Sequence, residues 1–344
     1  MRAYNIREIF IRGNIMATFL ATLTPMLTLF FCIATGFVLS KTKILPSSAG
    51  NTMAKMETWI FCPALSFMTM LRYCTVESLS THGINMIMAG ISVAISMAIA
   101  IPLSGLFVKE KNAERDIYSY ALTFANCSYI GDPIVLALFG EEILAYYKLF
   151  CLPLLMVIYT WGIGVLIPQN RENGSFMRRL FNINTISMLM GIAMGLSGLG
   201  AYLPKFLTSA LDSLKACMGP VAMLLAGVTI AKFDFIGMLK NKKVYIATIL
   251  RLVFIPAVLI AFLFGVKTLA NSVLDISIGN DVLFLCFFAT AAPLGLNTVI
   301  FPEAYGGNAE TGASMALISH TLCVISIPLL YTLMIAIFGT PFGT

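Results

Sequence analysis

Asn126-Cys127-Ser128-Tyr129-Ile130-Gly131-Asp132-Pro133 interrupts an apolar run of membrane length, residues 117–140. A second interruption, Pro293-Leu294-Gly295-Leu296-Asn297-Thr298, falls inside the apolar run 281–303. Both place Pro, Gly and Asn where a continuous bilayer helix is expected. Lipid cannot hydrogen-bond a broken backbone, so such breaks persist only where protein or a water-filled cavity satisfies the freed groups. Two of them, one in each half of the chain, predict a solute-binding site near the bilayer midplane.

Composition sets the solvent. Of 344 residues, 59% are hydrophobic and only 11% charged, against about 25% charged in soluble domains. The chain therefore reads as an integral, all-α membrane protein. Its formal charge of +6 sits in short loops, where basic residues set topology rather than bind nucleic acid. The cysteines (32, 62, 74, 127, 151, 217, 286, 323) are scattered through apolar segments without a C-x-x-C pair, and there are 2 histidines. No metal site, cofactor or disulfide framework is expected, and the thiols read as small core residues.

A spanning helix needs about 20 apolar residues. Ten segments qualify: 17–39, 54–72, 84–107, 117–140, 145–168, 184–201, 207–231, 244–266, 281–303 and 311–338. Lys and Arg concentrate in the odd-numbered connections, for example Lys109, Lys111 and Arg115, or Lys240, Lys242 and Lys243. The even connections carry about one each: Arg72, Lys148, Lys205 and Lys267. The positive-inside bias puts the odd loops in the cytoplasm and both termini outside. Arg2, Arg7 and Arg12 argue the other way. The first 15 residues read as a weak signal peptide, as an interfacial helix, or as an over-long start ahead of Met16.

The halves echo each other. Pro63 in the second segment matches Pro220 in the seventh, the break in the fourth matches that in the ninth, and Leu152-Pro153-Leu154-Leu155 matches Ile327-Pro328-Leu329-Leu330. Five spans is an odd number, so the second copy must lie inverted, an arrangement typical of transporters. The expected organisation is an N-terminal extension 1–16, a first five-helix repeat 17–168, a cytoplasmic connector 169–183 and a second repeat 184–338.

The run Asn126-x-x-Tyr129-x-Gly131-x-Pro133 resembles a motif of the auxin efflux carrier family. Pro293 to Gly306 resembles its second crossover, and Ser319-His320-Thr321-Leu322 through Pro328-Leu329 resembles its last helix. The resemblance implies ten helices in an inverted five-plus-five repeat, with broken helices four and nine crossing. It also implies transport of small organic anions, carboxylates such as malate among them, and a homodimer. The short central connection suggests a prokaryotic member, in the inner (plasma) membrane. Two residues depart from the family pattern: Asp132 stands at a usually apolar position, and His320 interrupts a usual Ser-Thr pair.

The breaks suit an anion. Gly131-Asp132-Pro133 reads as a helix start, with Asp132 as cap and Pro133 at the first helical position; Asn297 and Thr298 would cap the second half-helix. Two converging helix N-termini favour a carboxylate, and Asn126 and Asn297 add amide donors that need no proton. The substrate-binding candidates are therefore Asn126, Tyr129, Gly131, Pro133, Pro293, Asn297 and Thr298. The plainer reading is that both asparagines only satisfy broken backbone. Asp132, Glu57 and His320 are candidates for coupling to H+ or Na+; capping, a local ion pair and a hydrogen-bonded core histidine are their plainer readings. Arg251 could pair with an anion or reach the cytoplasmic surface, and the latter is the expectation. Without a G-x-x-x-x-G-K-[ST] motif, an electrochemical gradient must drive transport.

The stretch Gly191 to Gly200 permits close helix packing. It also contains Gly195-Leu196-Ser197-Gly198, which matches the G-x-S-G of intramembrane serine proteases. A non-transporting protein, such as that protease or a solute sensor, is the alternative to a carrier. The expectation is that the chain is not an enzyme.

Overall fold

The computed structural model describes residues 6–167, 182–273 and 278–342. Most of the connector 169–183 and the first five residues lie outside these. Among the described residues the fold is all helix, with no strand and one isolated antiparallel bridge, Ala125 to Leu294. Helix α1 spans Ile6–Lys41, so residues 6–16 continue the first apolar segment without a break. Helix α2 covers residues 49–73 and contains a π-turn, Glu57–Phe61. Then follow α3 (Val76–Phe107) and α4 (Ala113–Thr123). After the first break, α5 runs from Asp132 to Leu166, entered by a π-turn at Cys127–Gly131 and interrupted by another at Ile158–Gly162.

The second half comprises α6 (Ile183–Ser197), α7 (Lys205–Ile230), the short α8 (Phe235–Lys240) and α9 (Lys242–Val273). It ends with α10 (Asp281–Thr290), the second break, α11 (Asn297–Tyr305) and α12 (Ala309–Phe338). Helix α9 carries a π-turn at Leu250–Phe254. Starts are set by side-chain caps: Thr75 accepts from Ser78 N–H, Asn112 from Arg115 N–H and Asn308 from Thr311 N–H. Each cap satisfies one of the donors that a first helical turn leaves open. Gly140, at φ 81°, bends α5 between a short half-helix and its long remainder; an L side chain is strained there.

Within the described residues the ten apolar segments lie largely on helix, the fourth and ninth being interrupted by their breaks. Five helices are long and apolar enough to cross a membrane, and Met26–Lys41, Ile183–Ser197 and Asp281–Thr290 are shorter apolar helices. Large apolar side chains such as Phe31, Leu106, Phe206, Ile249 and Leu333 are exposed. In water such surface would drive aggregation; in a bilayer it is solvated.

Two helix pairs approach backbone to backbone. In α1 against α7, a Cβ at Gly36 would strike Leu224 O, and one at Gly227 would strike Ile33 O. In α6 against α2, a Cβ at Gly191 would lie 2.5 Å from Phe67 O, and one at Gly195 2.5 Å from Cys74 O. The sequence expectation for Gly191 and Gly195 thus holds, and small residues let these helices touch where lipid supplies no driving force for association.

Lys148 is not a loop residue. It lies within α5, and its side chain is only 13% exposed. Arg251 does not reach a surface either: it is buried in the π-turn of α9. An internal acceptor, described below, holds it in place of water.

Candidate functional site

The two breaks lie side by side. Helix α4 ends at Thr123, and Phe124 is extended (φ -114°, ψ 129°). Ala125 then pairs with Leu294 across the isolated bridge, and Asn126 N–H donates to Pro293 O at 2.6 Å. Each break thereby supplies part of the backbone bonding that the other has lost. Tyr147 of α5 fastens both from behind: its hydroxyl is 3.0 Å from Cys127 O and 3.2 Å from Phe288 O, where its hydrogen is shared. The backbone freed by the breaks is satisfied within the protein, as it must be wherever water is excluded.

Between the breaks is a narrow cleft, walled by Asn126, Cys127 and Ser128 from one break and by Gly295, Leu296 and Asn297 from the other. These are first-turn residues of the two half-helices, whose N–H groups are the ones a helix leaves without internal acceptors. Leu65, Tyr120, Tyr159 and Met218 are among the remaining walls. Asn126 is buried, and its Nδ2 is 3.3 Å from His320 Nε2. His320 Nδ1 faces Ala316 O at 2.7 Å. This network assigns the proton to Nδ1, so Nε2 accepts from the amide. Asn297 Nδ2 donates to Tyr120 Oη at 2.8 Å.

Beside the cleft, sharing Leu65 and Ser128 with it, a wider vestibule is bordered by Arg72, Asp132, Lys148, Asp212 and Lys215. Asp132 pairs with Lys148, and Asp212 with Arg72 of α2 rather than with its neighbour Lys215. Lys215 has no ion pair among the described residues, so three cations face two carboxylates. At the far end of α11, Glu303 pairs with Lys232, which follows α7, and Glu303 O accepts from Asn51 Nδ2 of α2 at 3.0 Å.

The structure redistributes the predicted residues. Asn126 and Asn297 meet in the cleft, and Pro293 anchors the backbone of Asn126. Pro133 and Asp132 face the vestibule. Asp132 is not a cap: the half-helix already begins at Cys127, where Asn126 O accepts from Ile130 and Gly131 N–H, so the carboxylate is left to pair with Lys148. Asn297 and Thr298 do not cap α11 either. Asn297 turns to Tyr120, and Thr298 donates to Gly295 O at 3.0 Å beneath Gly312. Gly131 is a packing position under Tyr147. The side chain of Tyr129 lies outside the described residues.

Glu57 is fully buried in the π-turn of α2, and neither carboxylate oxygen meets a hydrogen-bond donor among the described residues. A carboxylate in that setting needs a proton or a cation with it. Sequence reasoning missed Tyr120 and Lys148 as site residues. A tyrosine in an apolar span was the available signal for the first, because a buried hydroxyl seeks a partner.

Ser197 stands apart from all of this. Its hydroxyl is exposed and bonds locally to Met194 O, while the ring of His320 meets Asn126 Nδ2 and Ala316 O. Among the described residues Ser197 has no hydrogen bond to a histidine. Replacing Ser197 by Ala is expected to leave folding and solute flux unchanged within experimental error, as read by melting temperature and vesicle assay.

A family model described as membrane transport protein matches residues 21–177 and again 173–331. Among curated proteins, none matches the chain at a level that marks a relative.

Proposed function

Because the chain belongs to the membrane transport protein family, that of the auxin efflux carriers, we propose that it is a secondary active transporter of small organic anions such as malate. The substrate binds in the cleft between the breaks, and access alternates between the two faces of the membrane. The observation that carries this reading is the convergence of two half-helix starts and two asparagine amides on one cleft. Partial positive charge at both helix starts favours a carboxylate, and the amides bind it without a charge that must itself be desolvated.

The vestibule supplies the approach. Its excess cation, Lys215, draws an anion toward Ser128 and the cleft. The bonds of Glu303 to Lys232 and Asn51 close the opposite end and must open for release there. With both termini outside, the vestibule faces outward and the closed end inward. Spans four and nine cross at the bridge, in repeats 17–168 and 184–338. Helix contacts support the inverted repeat: if span n corresponds to span n+5, the glycine-lined pair α1–α7 maps onto the glycine-lined pair α6–α2. A homodimer in the inner membrane of a prokaryote belongs to the same reading.

Coupling to H+ or Na+ draws on Glu57, Asp132 and His320. A proton on His320 Nε2 would turn an acceptor into a donor, and the Asn126 amide would have to rotate to present its oxygen. Proton binding would thereby change which group Asn126 offers to substrate.

The test is counterflow. Purified protein in liposomes preloaded with unlabelled malate is expected to accumulate labelled malate transiently and saturably. A pore would equilibrate label without overshoot, and a sensor or protease would give no flux; either result overturns the proposal.

A further inference from the structure

Helix α9 lies against α12 through residues 242–254 and draws away from it past the π-turn at Leu250–Phe254. A groove of about 200 Å³ opens where they part. Ala257 and Ala261 of α9 and Phe287 of α10 floor it, and Leu333, Ile337 and Phe338 of α12 wall it. No side chain in the lining carries a nitrogen or an oxygen. The two alanines, one turn apart on the same helix face, make the room. Both are exposed, as are Leu333 and Ile337, so the groove is open along its side. A cavity of about 150 Å³ lined by Leu, Ile and Phe stays dry and takes up an apolar guest. In a bilayer the guest at hand is an acyl chain.

One end of the groove is closed by Phe264 and Phe338, whose rings lie 5.3 Å apart. Just past that closure stands a cation. Lys267 Nζ is 5.9 Å from the centre of the Phe264 ring and donates to Asn280 Oδ1, and Asn280 Nδ2 donates to Phe338 O at 2.9 Å. None of the ion pairs among the described residues includes Lys267. Asp281, the carboxylate beside Asn280, accepts from Phe342 N–H at 2.7 Å.

Helix rise sets the depth of these groups. Lys242 and Lys267 lie toward opposite ends of α9, about 38 Å apart at 1.5 Å per residue. That exceeds the hydrocarbon thickness of about 30 Å and falls short of the 40–45 Å or so that includes the headgroups. Lys267 is therefore at headgroup level. The groove residues of α9, from Val253 to Ala261, lie about 9–21 Å below it, from the top of the hydrocarbon to near the midplane.

We propose that this groove binds an anionic phospholipid, with one acyl chain between α9 and α12 and the phosphate on Lys267. The groove spans the depth of one leaflet, which is the reach of an acyl chain. A helix from a second copy is about 10–12 Å thick and spans both leaflets, so the groove is too small for it. A chain lying on Phe287 braces α10 one turn before its end at Thr290, where the second break begins. The site is separate from the cleft, and its occupancy does not depend on the transport reading.

The experiment is a melting titration of delipidated protein in detergent with phosphatidylglycerol, phosphatidylcholine or inorganic phosphate. Native protein is expected to gain roughly 4 °C, saturably, with phosphatidylglycerol. One lysine at the membrane surface strengthens binding to anionic lipid about fivefold. Lys267→Gln should therefore need about five times more phosphatidylglycerol for half the gain, and Lys205→Gln, in another connection, no more than native protein. Phosphatidylcholine should act about fivefold more weakly on native protein, and phosphate not at all. Ala261→Phe, which fills the groove from an exposed position, should lose the gain. Equal responses to the two lipids, a gain that survives Ala261→Phe, or one that phosphate alone reproduces overturns the proposal. So does a change of oligomeric state in Ala261→Phe with the lipid response intact, which would give the groove to a second copy. If Ala261→Phe does not fold, Lys267→Gln decides: an unchanged half-point overturns the proposal, and a fivefold shift supports it.

Discussion

Alanine at Asn126 or Asn297 is expected to cut the apparent affinity for carboxylate by about 10- to 150-fold while the protein remains folded. A hydrogen bond to a charged partner contributes about 1.5–3 kcal/mol, and each 1.4 kcal/mol is a factor of ten. Asn297→Ala removes the amide and leaves Tyr120 Oη without the donor now 2.8 Å away. The half-helix start beside it remains, so some residual anion binding survives. Asn126→Ala also deprives His320 Nε2 of its 3.3 Å partner, so its effect should include a changed pH profile of flux, which Asn297→Ala should not show. Counterflow with malate at several pH values, alongside melting temperature, reads both. Full transport by either variant would remove the cleft from the mechanism.

Valine at Gly227 should have the largest effect on stability. Its Cβ would fall onto Ile33 O and C in the backbone of α1. Ordinary overpacking costs about 1–3 kcal/mol because side chains shift aside. A carbonyl inside a helix cannot shift without breaking its own hydrogen bond, so the cost here should exceed that range. The expected result is loss of monodisperse protein or a melting temperature lower by more than about 6 °C. Val at Gly83, where an added Cβ meets nothing within 4 Å, is the control and should be nearly neutral. Equal melting of the two variants would show that α1 and α7 do not need this contact.

Much of the architecture was legible in the chain because the bilayer admits few solutions. Membrane-length apolar runs must be helix, and a Pro-Gly-Asn interruption within one must be sheltered by protein. That logic located both breaks and singled out Asn126 and Asn297. It failed for the partners of polar groups. Asp132 read as a cap because it precedes Pro133, yet the helix begins at Cys127 and the carboxylate pairs with Lys148, sixteen residues on. Lys148 read as a loop charge because it lies near a predicted span end. Arg251 was expected at a surface because long cations usually snorkel, but the Leu122 carbonyl of α4 was available to it inside.

The sequence by itself determined the solvent, the helical class, the family and the two points where helices break, since these follow from local hydropathy and backbone chemistry. Only the tertiary structure decided that the breaks bond to each other, that Tyr120 and His320 hold the two asparagines, and that the Leu122 carbonyl receives Arg251. Those outcomes depend on contacts between residues more than a hundred positions apart, and local preference carries no information about which distant group will meet a buried donor.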